Sequence, residues 1–264
     1  MATTGDETLA DERRRRIPAA VAAIAGGILT LAGGGLAALV YSDLPTVPVL
    51  DALRERLEPG APRPSLKALQ VRWYADNAVK LILVSIVLAL AAAAIGVALS
   101  HLYRSVKARR PALPNGVIYA AIAGAVLVAV SGVVQAVAVT IQASAFDAAT
   151  QTAGAAREVL KSPAIVAALL LRQVGVFALG FAFVLLALNG MRVGLLTRFM
   201  GVLGIIVGVL FIIPLGSSLP IVQAFWLIAL GVLFLGRWPA GQPPAWVTGE
   251  AQPWPSQQEL RERR

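Results

Sequence analysis

Seven polar side chains lie inside apolar stretches of this sequence: Thr30, Ser85, Ser131, Gln135, Arg172, Gln173 and Gln223. A polar group surrounded by hydrocarbon needs a partner or water. Arg172 stays charged throughout, because a guanidinium does not deprotonate in proteins. Two chemistries follow. In the first, the groups line a water-accessible vestibule in which Arg172 binds an anion or acts as a gating charge. In the second, Arg172 snorkels to the headgroups. Gln135 and Gln173 then bond across their two helices, a contact that averages only about 0.6 kcal/mol. No Asp or Glu lies within any of these stretches. Proton-coupled pumps use carboxylates there as relays, so a proton-driven transporter is disfavoured.

Other reactive groups are sparse. There is no cysteine, which excludes thiolate chemistry and a disulfide framework. The single histidine, His101, stands in Ser100-His101-Leu102-Tyr103-Arg104. A general base needs a partner within about 3 Å, and no acid is near it in the sequence. His101 therefore reads as a boundary residue touching headgroups. Asp147 and Glu158 read as surface partners of Arg157, Lys161 or Arg172. The nucleophile-elbow, P-loop, zinc-protease and dinucleotide motifs are absent from the sequence. No catalytic residue, cofactor site or metal site is assigned.

The elements that must position these groups are six hydrophobic runs, at about 17–41, 79–102, 117–137, 173–189, 199–215 and 218–236. A spanning helix needs about 20 mainly apolar residues. The chain is 58% hydrophobic and 14% charged, with a mean hydropathy of +0.75. Soluble domains carry about 25% charged residues, so the expected class is an all-α polytopic helix bundle in a membrane. With a rise of about 1.5 Å per residue, the seven polar groups gather in the outer half of that bundle. Pro214 falls there too, where it can kink the fifth run.

Charge sets the expected threading. The net charge is +9, and 14 of the 23 basic residues fall in four segments: 1–16, 103–116, 190–198 and 237–264. Basic residues beside spans mark the cytoplasmic face. They account for the charge without nucleic acid and put both termini inside. The first run is about 25 residues, against 7–15 for a signal-peptide core, so it reads as a retained helix. The preference for Arg over Lys and the abundance of Ala and Gly point to a high-GC bacterium and its cytoplasmic membrane.

Small residues supply the packing surfaces. Ala22, Gly26, Thr30, Gly34 and Ala38 recur every fourth position; Ala92, Gly96 and Ser100, and then Gly204 and Gly208, repeat the pattern. That spacing lets backbones approach closely in lipid, either within one bundle or between copies or partner proteins. The 42–78 loop predicts a helical hairpin on the outer surface, with one helix at 48–58 and another from Ser65 carrying Leu66, Leu69 and Trp73 on one face. A small ligand-binding cap is the alternative. The 237–264 tail, with Trp238, Trp246 and Trp254 among prolines, predicts largely disordered chain touching the membrane surface, or else a docking motif.

The stretch 187–204, together with Gln223-Ala224-Phe225-Trp226 and Arg237-Trp238-Pro239, resembles uncharacterised multi-spanning membrane proteins of high-GC, actinobacterial bacteria. The resemblance implies localisation and fold, and carries over no site residues. Three functions stand in order: a non-enzymatic structural or accessory protein packing through glycine-rich faces, a small-solute or lipid channel or transporter with an outer vestibule, and a membrane-embedded enzyme.

Overall fold

The structure, a computed structural model, describes residues 5–46, 66–147, 153–213, 220–239 and 241–254. Among them the chain is helical, with no strand. In order the helices are α1 (Gly5–Tyr41), α2 (Leu66–Asp76), α3 (Ala78–Arg109), α4 (Gly116–Asp147), α5 (Ala153–Leu160), α6 (Pro163–Arg192), α7 (Arg198–Ile212), α8 (Ile221–Phe234) and α9 (Pro244–Thr248). Helices α1, α3, α4 and α6 are long and apolar enough to cross a membrane. Helices α7 and α8 are apolar but only 15 and 14 residues long.

The long helices turn large hydrophobic side chains outward. Leu39 is 70% exposed, Val79 72% and Leu170 64%. So continuous an apolar surface is unstable against water and suited to lipid. The chain has an apolar interior as well, built around Phe183, Trp226, Leu230 and Phe234.

The helices form a closed ring in chain order. Helix α1 lies against α3, α3 against α4, α4 against α6, α6 against α7 and α7 against α8; α8 then returns to α1. Glycines permit the close approaches. A Cβ added to Gly124 on α4 would lie 2.7 Å from the Leu179 backbone nitrogen on α6, and one on Gly208 would lie 2.7 Å from the Gly180 carbonyl. Gly27 and Gly231 play the same part between α1 and α8.

Several helices extend beyond the hydrophobic runs. Helix α1 begins at Gly5 and carries the arginine run inside it. Asp6 and Glu7 sit in its first turn, where acids complement the helix dipole, and Asp11 pairs with Arg15 at 3.1 Å. Helix α6 begins at Pro163 rather than near Gln173, with the proline in its first turn, where a missing N–H costs nothing.

The loop at 42–78 is helical at its second end. The expected helix at 48–58, the Ser65 cap and Pro214 lie outside the described residues. Helix α2 turns Ala68 and Val71 onto Ala143 and Phe146 of α4 and onto Ala156 and Val159 of α5. Trp73 is buried beside Tyr41, with ring centroids 5.7 Å apart. The segment packs onto one end of α4.

The described C-terminal residues are not a disordered tail. Residues 241–254 fold over the end of the ring that carries the arginine run, called here the basic end. Trp246 Nε1 donates to Leu195 O at 2.8 Å, Trp254 Nε1 donates to Leu196 O at 2.8 Å, and Gln252 N donates to Val193 O at 3.0 Å. The indoles find carbonyls left free at the α6–α7 turn, which a hydropathy profile does not show. Gly194, with φ +77°, and Gly249, with φ +74°, make the turns against which the backbones close.

Candidate functional site

A cavity of about 350 Å³ opens in the half of the bundle away from the basic end. Five helices converge on it. Helix α1 contributes Tyr41, α2 Tyr74, α3 Ser85, α4 Gln135 and α6 Arg172, on a wall otherwise made largely of Leu, Val, Ile and Ala. Hydrophobic walls with a few convergent polar groups are the usual composition of a small-molecule site.

The polar groups differ in what they have left to offer. Ser85 Oγ donates to the Ile82 carbonyl at 2.7 Å, one turn back in its own helix. Gln135 Oε1 is buried and has no hydrogen-bond partner among the described residues. A buried orphan acceptor costs on the order of 1–3 kcal/mol, so it marks a place for a ligand donor or water. Arg172 is exposed to the cavity side and supplies the positive charge. Burial raises the Tyr74 phenol above its ordinary pKa, with a smaller push from Tyr41. Tyr74 is therefore a neutral hydroxyl near pH 7.

The other four polar residues of the apolar runs do not line this cavity. Thr30 Oγ1 donates to Gly26 O at 2.6 Å within α1, and Ser131 Oγ donates to Leu127 O within α4. Gln173 is exposed on α6 and Gln223 is half-buried on α8. Arg172 sits nine residues into α6, about 14 Å from the start of that helix at 1.5 Å per residue.

The glycine positions are used inside the ring. Gly26 faces Ala94 and Ile95 of α3, Gly34 faces Pro220, Gly96 faces Ala125 of α4, Gly204 faces Ala187 and Trp226, and Gly208 faces Val184 and the Gly180 carbonyl. Thr30 spends its hydroxyl on its own helix. The Gly124–Gly175 contact of α4 with α6 joins two further glycines at backbone distance, a Cβ on Gly124 falling 2.9 Å from the Gly175 carbonyl.

The basic end holds a second polar group that spacing alone could not assemble. Arg109 makes a bidentate pair with Glu12, 97 residues away, and also donates to Ala245 O at 2.6 Å and Ser105 O at 3.0 Å. Its guanidinium stands 5.5 Å from the Trp246 ring. His101 is buried rather than exposed at a boundary. It is 5% exposed, with Phe234 at 4.8 Å edge-on and Trp246 stacked at 6.1 Å. The acids that bring charge near it come from α1.

Glu158 and Lys161 are exposed, and the side chains of Asp147 and Arg157 lie outside the described residues. No group of three or more His, Asp or Glu side chains with metal-binding geometry occurs among the described residues. Compared with protein-family models, curated proteins and solved structures, the chain matches none of them. The site has to be interpreted from its own geometry.

Proposed function

We propose that this chain is a six-span protein of the bacterial cytoplasmic membrane that binds a small amphipathic anion, as a binding protein or passive pathway, in the cavity around Gln135 and Arg172. The observation that carries the reading is the convergence of Arg172, the orphan Gln135 acceptor and two tyrosines on one largely apolar cavity. The guanidinium would hold the anionic group, Gln135 would accept from a neighbouring donor, and the aliphatic wall would take the apolar part.

The count of six is supported by the α1–α8 pair. Arg16 meets the Phe234 carbonyl and Gly34 meets Pro220, a stretch of α1 worth about 27 Å, close to the roughly 30 Å of hydrocarbon in a bilayer. The positive-inside bias supports a cytoplasmic basic end, with both termini there. A scaffold or homo-oligomer reading through the glycine faces has less support, because those faces already meet partners within the ring.

The absence of cysteine gives a direct test. Single cysteines at Gln135, Arg172 and Gln223 are treated in intact cells with a membrane-impermeant maleimide, with Lys67→Cys on exposed α2 as control. Rapid labelling at 135 and 172 but not at 223 is the expected result. Labelling of the control alone would mean a dry cavity and would remove the ligand-binding reading.

A further inference from the structure

Two openings meet at the basic end, separate from the cavity just described. An apolar groove of about 630 Å³ runs between α1, α3 and α4 along Ala93, Gly96, Val97, Val126 and Val130. A chamber of about 220 Å³ lies beside it, bounded by Glu7, Asp11 and Glu12 of α1 and Ser105 of α3. Both openings are lined by Arg15, His101 and Arg104. The order along the α1–α3 pair is therefore hydrocarbon, then two guanidinium groups, then carboxylates.

Two buried side chains at this junction have unused polar atoms. His101 Nε2 and Ser105 Oγ have no hydrogen-bond partner among the described residues. The two residues are 5% and 1% exposed, and both line the acidic chamber. Buried groups of this kind are normally satisfied, so both atoms, on residues that line the chamber, call for a partner the described residues do not supply.

We infer that this junction is a binding site for an aminophospholipid, with an acyl chain in the groove, the phosphate between Arg15 and Arg104, and the ammonium in the chamber. The sequence of chemistries in the protein matches that of the lipid. Guanidinium groups bind phosphate through charge-assisted hydrogen bonds. An ammonium has three donors and no acceptor, which suits the Ser105 hydroxyl, an imidazole accepting at Nε2, and the Asp11 carboxylate, whose half-exposed pair with Arg15 at 3.1 Å the zwitterion would span, phosphate to Arg15 and ammonium to Asp11. A headgroup ending in a neutral glycerol has no positive charge to set against the carboxylates.

The full-length protein in mild detergent is given equal amounts of phosphatidylethanolamine and phosphatidylglycerol with the same acyl chains, and bound lipid is read by native mass spectrometry. Phosphatidylethanolamine is expected to be retained about five-fold over phosphatidylglycerol, as one well-placed charge near a membrane surface would give. Arg104→Gln is expected to weaken both lipids about five-fold. The double variant Glu7→Gln, Asp11→Asn is expected to abolish the preference while still binding phosphatidylglycerol. Arg104 and Asp11 are exposed, so the folded state should survive, and a thermal transition in lipid-free detergent checks it; Arg15→Gln serves as a second phosphate-side variant. Equal or better retention of phosphatidylglycerol, no retained lipid, or binding indifferent to both arginine variants would overturn the assignment.

Discussion

The two ends of the helix ring handle their polar groups in opposite ways. At the basic end most are bound to one another: Arg109 to Glu12 and Ala245 O, Arg110 to Asn189 at 2.8 Å, Lys107 to Leu113 O, and Trp246 and Trp254 to the α6–α7 turn. In the other half, Arg172 and Gln135 face a cavity, and Gln135 Oε1 has no partner among the described residues, as His101 Nε2 and Ser105 Oγ have none at the basic end. Similar residue types thus serve mainly as fastening in one place and as the lining of a cavity in the other.

Substitutions can break that contrast. Arg109→Ala would strand the Glu12 carboxylate, which has a side-chain exposure of 10%. It should destabilise the protein by about 3–5 kcal/mol, read as the thermal transition in detergent. Trp246→Ala should cost a similar amount, about 3–5 kcal/mol for deletion of a large buried aromatic, with loss of protection of residues 241–254 in hydrogen exchange. Gly208→Val forces side-chain atoms against the Gly180 carbonyl and should cost about 1–3 kcal/mol as overpacking does. Gly35→Ala meets nothing within 4 Å and should be neutral or stabilising by up to about 1 kcal/mol. Arg172→Ala should shift stability least, within about 0.5 kcal/mol, while abolishing anion binding in the cavity. A collapse of the fold in Arg172→Ala, or an unaffected fold in Arg109→Ala, would remove the distinction between the two ends.

Depth and azimuth were not equally legible. The apolar character of α1, α3, α4 and α6 can be read directly from hydropathy, because lipid-facing and core-facing positions are both apolar. Helix ends were harder to place. Arg172 masks the apolar residues 164–171 that precede it, so α6 looks ten residues shorter than it is. The arginine run looks like a tail although its acids support it as helix. Ser131 and Gln135 are one turn apart, yet only Gln135 lines the cavity, while Ser131 bonds its own backbone. Tyr74 joins the site only because α2 packs onto α4 and α5, and Tyr41 because it ends α1 beside them. The Glu12–Arg109 pair spans 97 positions, beyond the reach of any local pattern.

The closed ring also constrains assembly. Helix α8 supplies one side of α1, and Phe234 and Trp246 cover His101. During synthesis, α1 enters the bilayer long before α8 exists. Its Gly27 face must wait in lipid, or beside a chaperone, while six intervening helices, α2 to α7, are made. Helix α8 and the 241–254 segment then latch the bundle, so a chain stalled before them would carry an open seam.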